Sequence, residues 1–299
     1  MISDALRREF EAACGRPIEG GELLGENKYC TIWRVMMDGT PVVLKKYVGD
    51  NPALARVEGE AVEVYHRIAV GVPELIDSRR VAFSAPHNVV GVSFVPGDRL
   101  ADVLLRLSSD RARWPEAILL LGIVGETLRR LYETTKQPGL ALDPFHAEYI
   151  HYTSRSLAGV RVMGRMMFRR WEQEAAELVA ELEKAAVVPS FAHGDLVPRN
   201  IHVQDGRVGL IDFANSLMAS HPLHDMMNMW FALQNMMIDG GFRARLWDAF
   251  CDGFGPRQFP DAAWLFFWEW HRRRWLMLNL RTNDPRRLAR ALRGLATFA

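Results

Sequence analysis

The stretch FAHGDLVPRNIHVQDGRVGLIDF, residues 191 to 213, sets two carboxylates and an amide, Asp195, Asn200 and Asp212, among residues that otherwise read as buried strand. Asp205-Gly206 is a hairpin turn signal. It predicts that Asn200 and Asp212 stand at opposite ends of one hairpin and converge. Hard oxygen ligands with no cysteine or extra histidine beside them suit Mg²⁺, which takes few protein ligands and completes its shell with phosphate oxygens and water. Asp195, just upstream, is then placed to face a hydroxyl rather than the metal. On this reading the metal neutralises the clustered negative charge, and without it the site is expected to strain under mutual repulsion.

Outward from the hairpin the texture divides in two. Ser3 caps a first helix with Leu6, Phe10 and Ala13 on one face. From Gly20, GELLGENKYCTIWRVMMDGTPVVLKKY reads as three strands, the last two joined at Asp38-Gly39. A helix starting near Pro52 follows, with Ala61, Val64 and Ile68 sharing a face. VPELIDSRRVAFS and NVVGVSFVPG read as two more strands, and Pro96-Gly97 breaks the pattern. Past it the chain is mostly helical: residues 114–135 as one buried helix, 154–185 as one or two amphipathic helices, and further helices around 223–238, 242–252, 261–281 and 285–297. The expected class is α+β and bilobal, with a small antiparallel β-rich N-terminal lobe (residues 1–95) and a larger helical C-terminal lobe (residues 96–299).

The chain has 299 residues and a net charge of +1. No global field favours nucleic acid or an anionic membrane, and no stretch is apolar enough to span a bilayer. Three scattered cysteines, Cys14, Cys30 and Cys251, suggest neither a disulfide framework nor a zinc site, so a reducing cytoplasm is expected.

With these segments in place, the sequence resembles the aminoglycoside phosphotransferase and choline kinase superfamily, small-molecule kinases with a protein-kinase-like fold. HGDLVPRN looks like its catalytic loop, LIDF its metal-binding segment, and HPLHD (221–225) the element that follows. VVLKK (42–46) resembles the third-strand lysine motif, EAVEVYHRI the helix that supplies a glutamate partner, and VSFVPGDRL the hinge. The motifs come in the family's order over roughly residues 20 to 240, a far more specific signal than any one of them.

The resemblance implies that Lys45 grips the α- and β-phosphates of ATP, with GTP as the alternative nucleotide. Glu60 would hold Lys45, with Glu58 and Glu63 as competitors on the same helix. Asp195 would orient the acceptor hydroxyl and take its proton, while Asn200 and Asp212 hold Mg²⁺. Ser93 and Val95 would lend backbone groups to the base, and Val43, Val203 and Ile211 would line its faces. His193 and Asp225 would brace the catalytic loop.

Lys45 is preferred over Lys46 because it continues the apolar run Val42 to Leu44, and alternation sends the two to opposite faces. A GxGxxG loop is absent, with only Gly25 between the first two strands. Arg199 stands where many relatives have a small residue, and is read as reaching the acceptor, the γ-phosphate or solvent. His221 and His224 read as non-ligands.

Arg272 to Arg274 with Arg286, Arg287, Arg290 and Arg293 form a basic face read first as solvated helix surface. Trp264, Trp268, Trp270 and Trp275 read mostly as core, with Trp268 and Glu269 as acceptor-side candidates. The expected function is ATP- and Mg²⁺-dependent phosphorylation of a small-molecule hydroxyl (an aminoglycoside-like antibiotic, with resistance as the consequence, an amino alcohol or a sugar) by a monomer or homodimer. The rival is a catalytically silent nucleotide-binding module. A kinase of protein or lipopolysaccharide is disfavoured by Val197, where protein kinases carry a lysine.

Overall fold

Capping and alternation build the first lobe. The Ser3 hydroxyl accepts the Leu6 N–H at 3.3 Å and opens α1 (Asp4–Cys14). Three antiparallel strands follow, β1 (Glu19–Glu26), β2 (Cys30–Met37) and β3 (Thr40–Tyr47). Helix α2 (Ala53–Ala69), then β4 (Arg80–Ser84) and β5 (Val89–Ser93), complete a five-stranded sheet in the order β1-β2-β3-β5-β4. In β3, Val42 and Leu44 bury into a core beneath α1 with Phe10 and Trp33, while Val43 and Lys45 face the other way, into the cleft between the lobes. Lys46 lies on the α1 side and pairs with Glu9. The structure is a computed structural model that describes residues 2–49, 53–158, 165–256 and 259–280. Pro52, the helix expected over 285–297 and the arginines at 286, 287, 290 and 293 lie outside the described residues.

The second lobe begins after a short strand, β6 (Asp98–Arg99), and is carried by α3 (Leu100–Ser108), α4 (Trp114–Thr135), α5 (Phe145–Ala158) and α6 (Arg165–Lys184). Strand β7 (Ser190–Ala192) then leads to the hairpin, β8 (Ile201–Gln204) and β9 (Arg207–Leu210), and β10 (Leu217–Ser220) pairs back with β7. Helices α7 (Pro222–Asn235), α8 (Gly240–Phe254) and α9 (Asp261–Leu280) close the lobe. Helix α4 runs along α8, and α9 packs on α5, α6 and α7. The two lobes form the bilobal kinase-like fold expected from the sequence, and no helix among the described residues is long and apolar enough to cross a membrane.

The lobes are fastened by backbone. The first half of VPELIDSRRVAFS does not extend β4. It crosses to β9 instead, where Ile76 N–H donates to Val208 O at 2.7 Å and Val208 N–H to Glu74 O at 2.9 Å. Leaving the N-terminal sheet, the chain turns at Gly97 (φ 105°), where an added Cβ would lie 2.2 Å from the Val203 carbonyl oxygen. β6 then pairs with β8 through Asp98↔Val203. The buried Tyr65 hydroxyl donates to Ile76 O at 3.0 Å and accepts the Leu210 N–H at 3.4 Å.

Tyr65→Phe leaves the Ile76 carbonyl and the Leu210 N–H without that partner in a buried place, so a loss of about 1–3 kcal/mol is expected. Urea unfolding of wild type and variant measures it, and coincident curves would contradict this role.

Candidate active site

The cleft between the lobes holds a cavity of about 560 Å³. Lys45, 5% exposed, lines it, its Nζ donating to Glu58 Oε1 at 2.6 Å and to Asp212 Oδ1 at 2.8 Å. Burial disfavours the ammonium charge, but the two carboxylates outweigh it and raise the lysine's pKa above its ordinary value. Tyr47 donates its hydroxyl to the other Glu58 oxygen. The partner on α2 is therefore Glu58 and not Glu60, which is exposed. Helical phase explains it: Ala55, Glu58, Val62 and Tyr65, spaced by three, four and three, form the buried stripe, and Glu60 falls about 200° from Glu58.

Asp212 lies beyond the end of β9 in a left-handed conformation (φ 66°, ψ 63°), a state Asp tolerates better than most residues. The twist takes it out of the strand line, and its side chain meets Lys45. Burial pushes its carboxyl upward; the Lys45 ammonium, with His193 and Arg199, outweighs that and holds it below the usual carboxylate range.

Asp195 is buried at the edge of a second cavity of about 340 Å³. Its carboxylate accepts from Arg199 Nη2 at 2.7 Å and from the Asn200 amide at 3.0 Å, and the same amide donates to the Asp195 carbonyl at 2.9 Å. Arg199 lines both cavities. The carboxylates are thus not left to repel one another without a metal: Asp212 is held by Lys45 and Asp195 by Arg199, contrary to the strain expected from the sequence.

The loop carrying Asp195 is fixed from behind. Asp225, fully buried at the start of α7, accepts the His193 N–H at 2.6 Å and the Gly194 N–H at 2.9 Å. Burial raises its pKa, against the opposing pull of His193 and those amides. Asn228 donates to the Gly194 carbonyl at 3.0 Å, and the His193 Nε2 contacts Ile211 O at 3.0 Å, joining the loop to the residue before Asp212. Gly194 has φ 80°, and a Cβ there would sit 1.8 Å from Asn215 O, so only glycine fits.

Of the residues expected at the base-binding end, Val43, Ser93, Val95 and Ile211 line the cleft. Val203 does not; strand alternation puts its neighbour His202 there, with Nδ1 2.8 Å from the Val95 carbonyl, and Val203 packs on the core. The β1–β2 turn is tight. The Asn27 side chain accepts the N–H groups of Tyr29 (2.7 Å) and Cys30 (3.0 Å), so those two amides are already committed.

The acceptor-side expectations fare differently. Trp268 lines a separate aromatic groove with Trp230, Trp247 and Trp264. Glu269 pairs with Arg272 (2.7 Å) and Arg273 (3.4 Å) and does not line the Asp195 cavity. Arg273 is fully buried rather than solvated, donating also to Ser154 and the Trp171 carbonyl. On α9 the residues that do face Asp195's cavity are His271, Arg274, Trp275 and Leu278. Their i, i+3, i+4, i+7 spacing was legible in the sequence, but which face of α9 meets the loop was not.

Residues 31–276 match the model of the phosphotransferase enzyme family. The chain belongs to this family. It is a phosphotransferase. Among solved structures, a glucosamine kinase bound to glucosamine, ADP and inorganic phosphate is 17% identical (TM-score 0.65; 100% of this chain and 84% of that one). A putative fructosamine-3-kinase from Thermobifida fusca is also 17% identical (TM-score 0.63; 98% of each chain). The aminoglycoside phosphotransferase APH(2")-IIa, in a complex with streptomycin and ATP, is 12% identical (TM-score 0.60; 99% and 97%). At such identities the likeness shows the fold. No curated protein matches the chain significantly.

Behind the loop, His146, His221, His224 and His271 are buried. Burial pushes His146 and His221 down to about 3, and holds His224 and His271 well below the usual histidine range. Below about pH 6.5 the unfolded chain takes up protons that these rings refuse, so the stability they confer is present above that pH and is lost on acidification. Each ring contributes up to about 1.4 kcal/mol per pH unit. The urea midpoint should be steady from pH 8 to 7 and fall between pH 6.5 and 5; a level profile would rule this out.

Proposed function

We propose that this phosphotransferase moves the γ-phosphoryl group of ATP to a hydroxyl of a small molecule, with Mg²⁺. The supporting observation is the pair of adjoining cavities: Lys45, Asn200 and Asp212 line one, Asp195 lines the other, and Arg199 borders both. ATP bound in one structure of similar fold and ADP in another agree with a nucleotide in the first.

The donor set fits a hard cation. The Asn200 amide nitrogen is committed to Asp195, leaving its oxygen free to coordinate, and Asp212 keeps a second carboxylate oxygen beside the one on Lys45. Held there, Mg²⁺ would neutralise phosphate charge. No cluster of three His, Cys, Asp or Glu among the described residues offers another metal site.

Lys45, set by Glu58, would hold the α- and β-phosphates, with the base between Val43 and Ile211. Asp195 accepts the proton of the acceptor hydroxyl as its oxygen bonds to the γ-phosphorus. The bond from that phosphorus to the bridging oxygen breaks, and ADP leaves with the electron pair. His193 and Asp225 position the loop and do not touch the reacting atoms. The N-terminal lobe to residue 95 supplies nucleotide contacts, and the rest supplies base, metal ligands and acceptor cavity.

Screening hydroxylated small molecules for ADP release tests the reaction. Asp195→Asn should keep nucleotide binding and lower kcat by about 10²–10⁴; equal turnover would exclude Asp195 as the base. Glu58→Gln should weaken Mg²⁺-dependent ATP binding while Glu60→Gln leaves it unchanged, as read by titration calorimetry. The reverse pattern would overturn the assignment of Glu58.

A further inference from the structure

The three consecutive arginines of α9 have different surroundings. Arg272 makes a two-pronged pair with Glu269 at 2.9 and 2.7 Å. Arg273 is buried against Glu269 and Glu174. Arg274 turns into the 340 Å³ cavity beside Asp195, where its Nη1 donates to a neutral group, Asn228 Oδ1, at 3.0 Å. Among the described residues no carboxylate lies within ion-pair distance of it. Asn228 in turn donates to the Gly194 carbonyl, so this cation stands two hydrogen bonds from the catalytic loop. A guanidinium does not lose its proton in proteins; this one has an amide and, 5.9 Å away, the face of Trp270 but no carboxylate, and an anion brought in from outside would match it.

A second, independent feature faces the same cavity. His271, one turn before Arg274, is 3% exposed, and its Nε2 has no partner. The ring hydrogen-bonds the backbone of His224. Burial foremost, with His224 and Arg274 adding to it, keeps the ring uncharged. A buried ring nitrogen without a partner is costly, and a ligand hydroxyl, which can donate or accept, supplies one.

The charge balance of the lining points the same way. Asp195 is the lone carboxylate among the described residues of this cavity, and Arg199 already pairs with it. An ammonium group entering here would meet two guanidiniums and no unpaired acid. A planar carboxylate instead matches the planar donor edge that Arg274 keeps after Nη1 is given to Asn228.

We propose that the acceptor is a hydroxy acid: its carboxylate pairs with Arg274, one hydroxyl hydrogen-bonds His271 Nε2, and the hydroxyl to be phosphorylated lies at Asp195. The inference deepens the kinase reading and rests on it.

The test uses the full chain and one sugar ring in three charge states, glucuronate, glucose and glucosamine, with glycerate and gluconate as smaller and open-chain acids, all at matched ionic strength. Thermal stabilisation without nucleotide reports binding, and ADP release with Mg²⁺ and ATP reports transfer. At least one of the acids should stabilise and turn over where glucose and glucosamine do so at least tenfold more weakly. Arg274→Gln should weaken acid binding at least tenfold and Arg274→Lys should retain part of it. Ala101→Glu, a partly exposed position on the cavity wall in α3, should weaken acid binding without touching the α9 core. Binding of glucose or glucosamine equal to the acids, binding by none of the acids, or an unchanged dissociation constant in Arg274→Gln would each overturn the proposal. Thermal stabilisation by Mg²⁺ and ATP alone, expected in wild type and in Arg274→Gln, tests the kinase reading separately; its absence overturns that reading whatever the acids do.

Discussion

A single buried ammonium organises this molecule. Lys45 reaches from β3 across the cleft to Glu58 on α2 and to Asp212 after β9, so one cation ties three separate parts of the chain. Its charge survives burial because two carboxylates meet it, and removing either would leave a poorly compensated charge. The cost of breaking such a pair is about 3–5 kcal/mol where the surroundings are fully buried. Glu58 lies in those surroundings and Asp212 is more open, 43% exposed in its side chain, so screening softens the second link. The rigid end of the triad is therefore in the N-terminal lobe, where Tyr47 also holds Glu58, and the adjustable end faces the cavity.

The loop bearing Asp195 is held by different physics. Asp225 is buried, no cation among the described residues pairs with it, and its carboxylate accepts two backbone N–H groups. Hydrogen bonds from amides stabilise a carboxylate while fixing the direction of the chain that donates them. Together with Gly194, whose conformation admits no side chain, and the contacts of Asn228 and His193, they leave the backbone of residues 193 to 195 little freedom. Catalysis by positioning needs a carboxylate held in this way.

How far the sequence foretold this follows from which constraints are local. The hairpin, its turn, the order of motifs and the buried helix at residues 114–135 were legible because period, turn chemistry and spacing act within short windows. Lys45 over Lys46 followed from alternation on β3. Glu58 was ranked behind Glu60 although its signal was present: the apolar stripe of Ala55, Val62 and Tyr65 sets the helix phase and includes Glu58, whereas counting glutamates on a motif does not. His202 was missed for the same kind of reason, a one-residue error in strand parity. Glu269 and Arg274 lie on one helix, and only the packing of α9 against α5, α6 and α7 decides which turns toward Asp195. That is tertiary information, and no local pattern carries it.

Burial also decides which of the site's cations can respond to substrates. Lys45 is enclosed and doubly paired, so its place is set before any ligand arrives. Arg199, with a side chain 63% exposed, is held to the largely buried Asp195 carboxylate by one contact at 2.7 Å. On the proposed reading, phosphate oxygens in the neighbouring cavity would share that guanidinium, while the Asn200 amide keeps its bond to the same Asp195 oxygen. The three cations therefore differ in their hold: Lys45 is enclosed and doubly paired in the cleft cavity, Arg274 is hydrogen-bonded to Asn228 in the Asp195 cavity, and Arg199, bordering both, has the most exposed side chain, whose charge could be shared with an incoming anion.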